Sequence, residues 1–428
     1  MKRAFVSLVL WSGVAAAQQV APNTALPPQE VVLQVIEATP EVRAAEAVLA
    51  RAEAEERMRR VGSHETQFTV IPQQRRVDGG GRYREWEADL SRGVRWPGKA
   101  RLDREIGAAG TEAAQLMLED SHHAGARRLL ALWSNWQRAG VALELQRRQV
   151  ALWQRDHAAV SRRVQLGDAA QRDVVAIDAA LAQARATALQ AAAEQTNARL
   201  TLSSAFPGMP LPDVVHLPAM PSALSGSDEA WVKLILARSH EIGAAEAIAR
   251  RQDATARRAR AERMPDPVIG VRVLNEQGGR ERAVGLTLSI ALGTRYRSAE
   301  AAAAGADAMG AEAELTMVRR DVDQDARRVV AMARAMHDIW KQQSEASKAA
   351  EASAAKSERA YALGESGLAE LLAAQRLARE TALAERRANV DAIEAVARVE
   401  VDAHERWHRH DAGDEDTSAD MKLPGLGQ

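Results

Sequence analysis

Thr39-Pro-Glu-Val-Arg-Ala-Ala-Glu-Ala47 returns two hundred positions later as Ser239-His-Glu-Ile-Gly-Ala-Ala-Glu-Ala247. Ala126-Arg-Arg-Leu-Leu-Ala131 returns as Ala326-Arg-Arg-Val-Val-Ala331 at the same offset. A third pair, Leu166-Gly167-Asp168 with Asp173-Val174-Val175, matches Leu363-Gly364-Glu365 with Glu370-Leu371-Leu372 at an offset of 197. Alanine-rich helices imitate one another by composition, but an ordered series of matches at nearly one offset marks an internal duplication. The chain therefore reads as two copies of one plan, 18–205 and 228–406. A linker over 206–227, rich in Pro and poor in helix formers, joins them.

The 428 residues are 46% hydrophobic, 27% charged and 4% aromatic, with no cysteine and a formal net charge of −1. Absence of cysteine excludes a disulfide framework, a cysteine zinc site and a cysteine nucleophile. Near-neutrality removes any global electrostatic case for binding nucleic acid. Abundant alanine with few aromatics favours closely spaced helices. At the N-terminus, Lys2 and Arg3 precede an apolar run, Ala4 to Val14, and the small residues Ala15-Ala16-Ala17. That is the layout of a secretory signal peptide over 1–17. Beyond it Arg, Glu, Asp or Gln interrupts every alanine-rich run, so no segment has the roughly 20 apolar residues of a transmembrane helix. An exported chain of this kind is either soluble or part of a β-barrel.

Each half breaks its helical pattern once, for a pair of extended segments: 66–77 with 83–95, and 267–276 with 282–292. Glu85-Trp-Glu-Ala-Asp-Leu-Ser91 alternates strictly, as do Val284, Leu286, Leu288 and Ile290 with Gly285, Thr287 and Ser289. If the strands cross a membrane, Trp86, Leu90, Val284, Leu286 and Leu288 form the lipid face. Glu85, Glu87, Asp89, Thr287 and Ser289 then face the lumen. Four strands are fewer than the roughly eight of the smallest barrels, so several chains would have to pool them. The alternative is a pair of edge hairpins whose apolar side is covered by helices.

The rest is helical, as two long hairpins over 99–204 and 297–406. Leu129, Leu132, Trp136, Ala139, Leu143, Val150, Trp153, Val160 and Val164 fall at spacings of three and four, with Gln146 and His157 completing a heptad stripe. Val329, Met332, Met336, Ile339, Ala346 and Ala350 are its expected counterpart. The hairpin tips fall at Leu166-Gly167-Asp168 and Leu363-Gly364-Glu365, where Gly accepts a left-handed conformation. Asp173 and Glu370 suit the first turn of the returning helices. Collectively these carboxylates would make a negative, cation-selecting entrance.

Glu262-Arg-Met-Pro-Asp-Pro-Val-Ile-Gly270, Val284-Gly-Leu-Thr-Leu-Ser-Ile290 and Tyr361-Ala-Leu-Gly-Glu-Ser-Gly-Leu-Ala-Glu-Leu-Leu-Ala-Ala-Gln375 resemble the TolC-like outer membrane factors of bacterial tripartite efflux systems. Trp96-Pro-Gly-Lys99 is similar to the barrel exit of the heavy-metal efflux branch. The first half departs from the pattern: Val61-Gly-Ser-His-Glu-Thr66 lacks the Pro-Asp-Pro seen at Pro265 to Pro267, and Pro72, Arg75 and Arg76 interrupt its strand. The resemblance implies a mainly α fold with a small β part. In a homotrimer, 12 pooled strands would form one barrel in the bacterial outer membrane lipid, and the helices a periplasmic tunnel. It also implies docking of the tips, Leu166, Gly167, Asp168, Leu363, Gly364 and Glu365, on a periplasmic adaptor protein linked to an inner-membrane resistance-nodulation-division pump.

His404, His408 and His410 stand beside Asp411, Asp414, Glu415 and Asp416, and the spacing puts His404 and His408 on one helical face as metal candidates, but no closed ligand set follows from these positions. The segment 407–428 reads as a solvated acidic/His tail, and His122-His123 as helix surface. Neither a phosphate-cradling glycine loop nor an HExxH set is present, so the chain is not read as an enzyme and no cofactor is expected. The leading reading is a passive efflux duct, with metal cations favoured over drugs as cargo. The alternative is a soluble periplasmic coiled-coil scaffold.

Overall fold

A computed structural model describes residues 25–408 apart from 216, 218 and 219. The expected signal peptide and His410 lie outside the described residues. Each half contains the same six elements in the same order. The first has α1 (Gln29–Glu37), α2 (Pro40–Val61), β1 (Thr66–Arg76), β2 (Arg82–Gly93), α3 (Pro97–Gln165) and α4 (Gln171–Ala205). The second has α5 (Asp228–Arg238), α6 (His240–Glu262), β3 (Val268–Glu276), β4 (Glu281–Ser289), α7 (Arg295–Ala362) and α8 (Leu368–Asp402). The repeated segments begin at equivalent helix starts: the Thr39 and Ser239 hydroxyls accept the Val42 and Ile242 amides at 3.5 and 3.2 Å.

The 69 residues of α3 and 68 of α7 each span on the order of 100 Å. The half of α3 near the sheet packs on α2 and α6, and the half away from it on α4; α7 divides similarly between α6 and α8. On α3 the stripe is buried at Leu129, Trp136, Leu143, Trp153 and Val160. On α7 the expected stripe holds at Val329 and Ala350, which are buried, and at Met336, which packs beside Trp340, but fails at Met332, Ile339 and Ala346. Met332 and Ile339 are 43% and 45% exposed, whereas Ala326, Ala333, Trp340 and Ser347, at intervals of seven, face the neighbouring helices. Trp340 sets this phase: its bulk packs with Ala388 and Ala392, and its indole N–H donates to Glu385 at 2.9 Å.

The linker is part of the core rather than a detached strap. Phe206 and Met209 pack with Leu129, Trp133 and Leu202, and Leu224 with Trp231 and Val330. The second helical hairpin also ends earlier than 406. After Asp402 the chain turns back, with φ of 61° at His404 and 55° at Trp407. Trp407 is buried and its indole N–H donates to the Pro27 carbonyl at 3.4 Å. The start of the expected tail is thus docked, because the indole contributes apolar surface to the core that holds Phe206 and α1.

All four strands form one antiparallel sheet in the order β1-β2-β3-β4, so the central β2–β3 pair joins the two repeats. Where the sheet meets the helices, a charged knot ties them together. The Lys99 ammonium, 2% exposed, lies 2.8 Å from Asp266 and 3.0 Å from Glu262. Asp266 also accepts from His64 at 2.9 Å and from the Trp96 amide at 3.3 Å, while the Trp96 indole donates to the Pro265 carbonyl at 3.1 Å. Arg95 donates to the Arg59, Arg60 and Val61 carbonyls that end α2, and to Asp103 at 2.9 Å. Gly62, with φ of 85°, is required twice over: a side chain there would be strained and would lie 2.5 Å from the Arg95 guanidinium. Burial pushes the Asp266 carboxyl up, but the hydrogen bonds from Lys99, His64 and Trp96 outweigh it and hold the carboxyl below the usual carboxylate range.

Replacing Lys99 by Met leaves Asp266 and Glu262 without their shared cation, and is expected to destabilise the protein by about 3–5 kcal/mol. A lower midpoint of thermal unfolding at pH 7 checks it. Because the folded-state pKa of Asp266 is depressed, its stabilisation is present above the unfolded value and lost as pH falls through the folded one. The Asp266→Asn deficit should therefore shrink on acidification below the ordinary carboxylate range.

Candidate functional site

Strand register sorts the sheet into two chemically distinct faces. Phe68, Leu90, Val271 and Leu286 align in one row across all four strands, and Val70, Ala88, Val273 and Val284 in the next. Leu288 lies on the same face beside Ile269, and Trp86 beyond Ala88, opposite Pro72. This apolar face is open: Phe68 is 70%, Val284 75% and Leu286 88% exposed. Among the described residues no long helix packs across the sheet, so these do not form the helix-covered hairpins of the alternative sequence reading.

The opposite face carries Glu87, Asp89, Thr287 and Ser289, as the alternation predicts. Arg272 donates to Glu87 at 2.7 Å, and the Thr287 hydroxyl to Asp89 at 3.2 Å. Gly270 lies between Ser91 and Thr287, and a Cβ there would come within 2.6 Å of the Thr287 hydroxyl. That close approach explains the glycine closing the Pro-Asp-Pro-Val-Ile-Gly segment. Glu85 belongs to the same face but differs from its expected open setting. Its side chain is enclosed, accepting from Gln73 at 3.0 Å and the Gln277 amide at 3.1 Å beside Arg75 at 3.1 Å. The 3₁₀ turn Gln277–Gly279 leading from β3 to β4 covers it. Sequence alternation reports which way a residue points, and cannot report a turn folded over it.

At the far end of the helices the two tips are built alike. The Gly167 amide donates to Val164 and the Asp168 amide to Arg163; the Gly364 amide donates to Tyr361 and the Glu365 amide to Ala360. This is one left-handed helix stop used twice, with φ of 82° at Gly167 and 75° at Gly364. A Cβ at either glycine would meet nothing within 4 Å, so the requirement is conformational. Leu166 and Leu363, 62% and 69% exposed, stand beside the exposed carboxylates Asp168 and Glu365. Asp173 turns back to accept the Ala170 amide at 3.3 Å, which makes it a helix cap. Glu370 is exposed in the first turn of α8.

The histidines are the main departure from the sequence reading. His404 and His408 do not share a helical face, because α8 ends at Asp402. Instead they meet His123 from α3 and His240 from the start of α6, and one ligand atom from each of the four lies within 4.8 Å of every other. His123 and His404 are 7% and 8% exposed. His123, expected on the surface, faces inward toward the C-terminal turn. Burial, then the Arg127 charge and the other imidazoles, push the His123 pKa down to about 2; the same kinds of cause lower that of His404. No periodicity could have found His123 or His240, since their partners lie elsewhere in the chain.

No protein-family profile and no curated protein matches this sequence. Solved structures do. VceC, an outer membrane protein of Vibrio cholerae, superposes with a TM-score of 0.74 at 15% identity, covering 87% of this chain and 95% of VceC. The open-state MtrE outer membrane channel of Neisseria gonorrhoeae gives 0.70 at 18% identity, covering 88% of each chain. CusC, described in terms of transmembrane channel formation, gives 0.70 at 14% identity over 89% of this chain and 92% of CusC. This chain has the fold of the outer membrane channels, the fold that its resemblance to TolC-like outer membrane factors implies.

Proposed function

We propose that this protein is the outer membrane channel of a tripartite efflux system, a passive exit duct. The open apolar face of the sheet carries the reading. A four-stranded sheet in water does not leave a row such as Phe68, Leu90, Val271 and Leu286 uncovered. In lipid that face is satisfied, but the outer edges of β1 and β4 then need hydrogen-bond partners. Three chains pooling 12 strands close the barrel. Trp86, Leu90, Val284, Leu286 and Leu288 then meet lipid, and Glu87, Asp89, Thr287 and Ser289 line the lumen. Glu85 supports the lumen wall from beneath the β3–β4 turn.

Exposed apolar side chains on the outer helices support the same assembly. Val175, Leu189 and Leu200 on α4, and Met332 and Ile339 on α7, are 43–74% exposed in the single chain. Packing between subunits of a homotrimeric periplasmic tunnel would cover them. The tips, with exposed Leu166 and Leu363 flanked by Asp168 and Glu365, dock a periplasmic adaptor that connects to an inner-membrane resistance-nodulation-division pump. Metal cations are favoured over drugs as cargo, a reading supported by the acidic character of the tip end, where Asp168, Glu365 and Glu370 are exposed.

Leu286→Arg places a charge near the middle of the proposed lipid face, at about 2–4 kcal/mol per chain. Detergent-stable trimers in outer membrane fractions should be largely lost, whereas Thr287→Lys, on the lumen side, should retain them. Recovery of the unaltered protein in the soluble periplasmic fraction, without such trimers, would sink the duct. Gly167→Val with Gly364→Val forces β-branched residues into left-handed geometry at the tips. This pair should lower efflux and adaptor co-purification while trimers persist. For cargo, deletion of the gene should reduce tolerance of divalent metals more than tolerance of drugs, measured in a strain lacking paralogues.

A further inference from the structure

We propose that His123, His240, His404 and His408 form a four-imidazole site for a late first-row divalent cation, with Zn²⁺ as its reference, that fastens the C-terminal turn to α3 and α6. The site is separate from the duct and does not rest on the efflux reading.

Four of the chain's 10 histidines converge at this point. His404 is central: its ring centroid is 4.1 Å from that of His123, 4.3 Å from His408 and 4.6 Å from His240. A tetrahedral zinc with bonds of about 2.0–2.1 Å needs ligand nitrogens about 3.3–3.4 Å apart. The present limit of 4.8 Å is thus about 1.5 Å from that spacing at most, within reach of side-chain rotation alone. The all-nitrogen donor set suits zinc, nickel or copper rather than calcium or magnesium, which take oxygen ligands.

The backbone is held in unusual geometry to make this meeting possible. The positive φ values at His404 and Trp407 bring His408 back beside His404 rather than letting it continue along α8. Trp407 anchors the turn in the core, and Gln29 donates to the His408 carbonyl at 3.2 Å. Nearby guanidinium charge, which would oppose a cation, is matched. Arg127 pairs with Asp402 at 2.7 Å and Glu241 at 3.0 Å, Arg238 with Glu405 at 2.7 Å, and Arg398 with Asp402 at 2.7 Å. These carboxylates offset the charge of the guanidinium groups that act on His123 and His404.

The test uses the full mature chain, purified in detergent without a polyhistidine tag and stripped with chelator. Titration with Zn²⁺ should saturate at one equivalent per chain and raise the thermal unfolding midpoint. Co²⁺ in its place should give the intense visible absorption of a tetrahedral nitrogen site. His123→Gln with His404→Gln should weaken binding by at least about a hundredfold and abolish the Co²⁺ spectrum. His240→Gln, at a half-buried position less critical for folding, should weaken it while leaving elution volume and metal-free stability unchanged. Absence of saturable Zn²⁺ binding to the unaltered chain would overturn the proposal. So would binding that survives the His123/His404 pair of substitutions but disappears when residues 409–428 are removed, which would place the metal on the tail.

Discussion

A buried lysine holds the two halves of this molecule in register. Lys99 lies in the first turn of the first long helix, while Glu262 ends α6 and Asp266 stands just before β3, in the other repeat. The ammonium therefore spans the duplication at the level where β2 pairs with β3. Sheet pairing alone is vulnerable to slippage, since a one-residue shift exchanges the two faces. Anchoring Trp96 and Lys99 on the Pro265–Asp266 segment, and the Val94 amide on the Pro267 carbonyl at 2.8 Å, fixes the strands at their helical end. The apolar rows of β2 and β3 consequently coincide, and the pairing within each hairpin carries the alignment to β1 and β4. The segments Trp96-Pro-Gly-Lys99 and Met264-Pro-Asp-Pro267 are best understood as the two sides of this joint, rather than as a ligand site.

The duplication is legible in the sequence because it is carried by caps and turns as well as by composition. Thr39 and Ser239 cap equivalent helices, and Gly167 and Gly364 end equivalent helices with the same pair of hydrogen bonds. Strand alternation likewise assigns the faces of Glu87, Asp89, Thr287 and Leu286, since direction along a strand is a strictly local property. The phase of α7 is less accessible. Its alanines fit either of two adjacent stripes, and only the pocket formed by Ala388 and Ala392 selects Trp340 over Ile339 as the inward residue. Pro72 interrupts the pattern of the first strand without breaking its register, for it still stands opposite Trp86.

Contacts between distant segments lie beyond reach of the sequence altogether. The Pro-rich linker carries too little periodicity to announce that Phe206, Met209 and Leu224 are core residues. The C-terminal segment is locally polar, and its acidic composition argues for solvation. One tryptophan reverses that outcome for residues up to His408: burying an indole contributes more than the few polar contacts oppose, and the turn docks beside α1. His404 then becomes a core residue by consequence, although nothing in its own neighbourhood distinguishes it from a tail histidine.

The histidine cluster also breaks the symmetry that governs the rest of the fold. At the two-hundred-residue offset that relates the halves, the counterpart of His240 is Pro40 and that of His123 is Asp323. The duplicated plan thus provides the helices but supplies no second set of imidazoles. Their convergence requires the chain reversal after Asp402, which the first half cannot have because its helix α4 runs on into the linker. Four imidazole nitrogen donors therefore meet at a single unsymmetrical point that the duplication does not itself provide, with each flanking arginine matched by a carboxylate. A purely structural role would be met at lower cost by apolar side chains, which would fill the same space without the desolvation of four imidazoles.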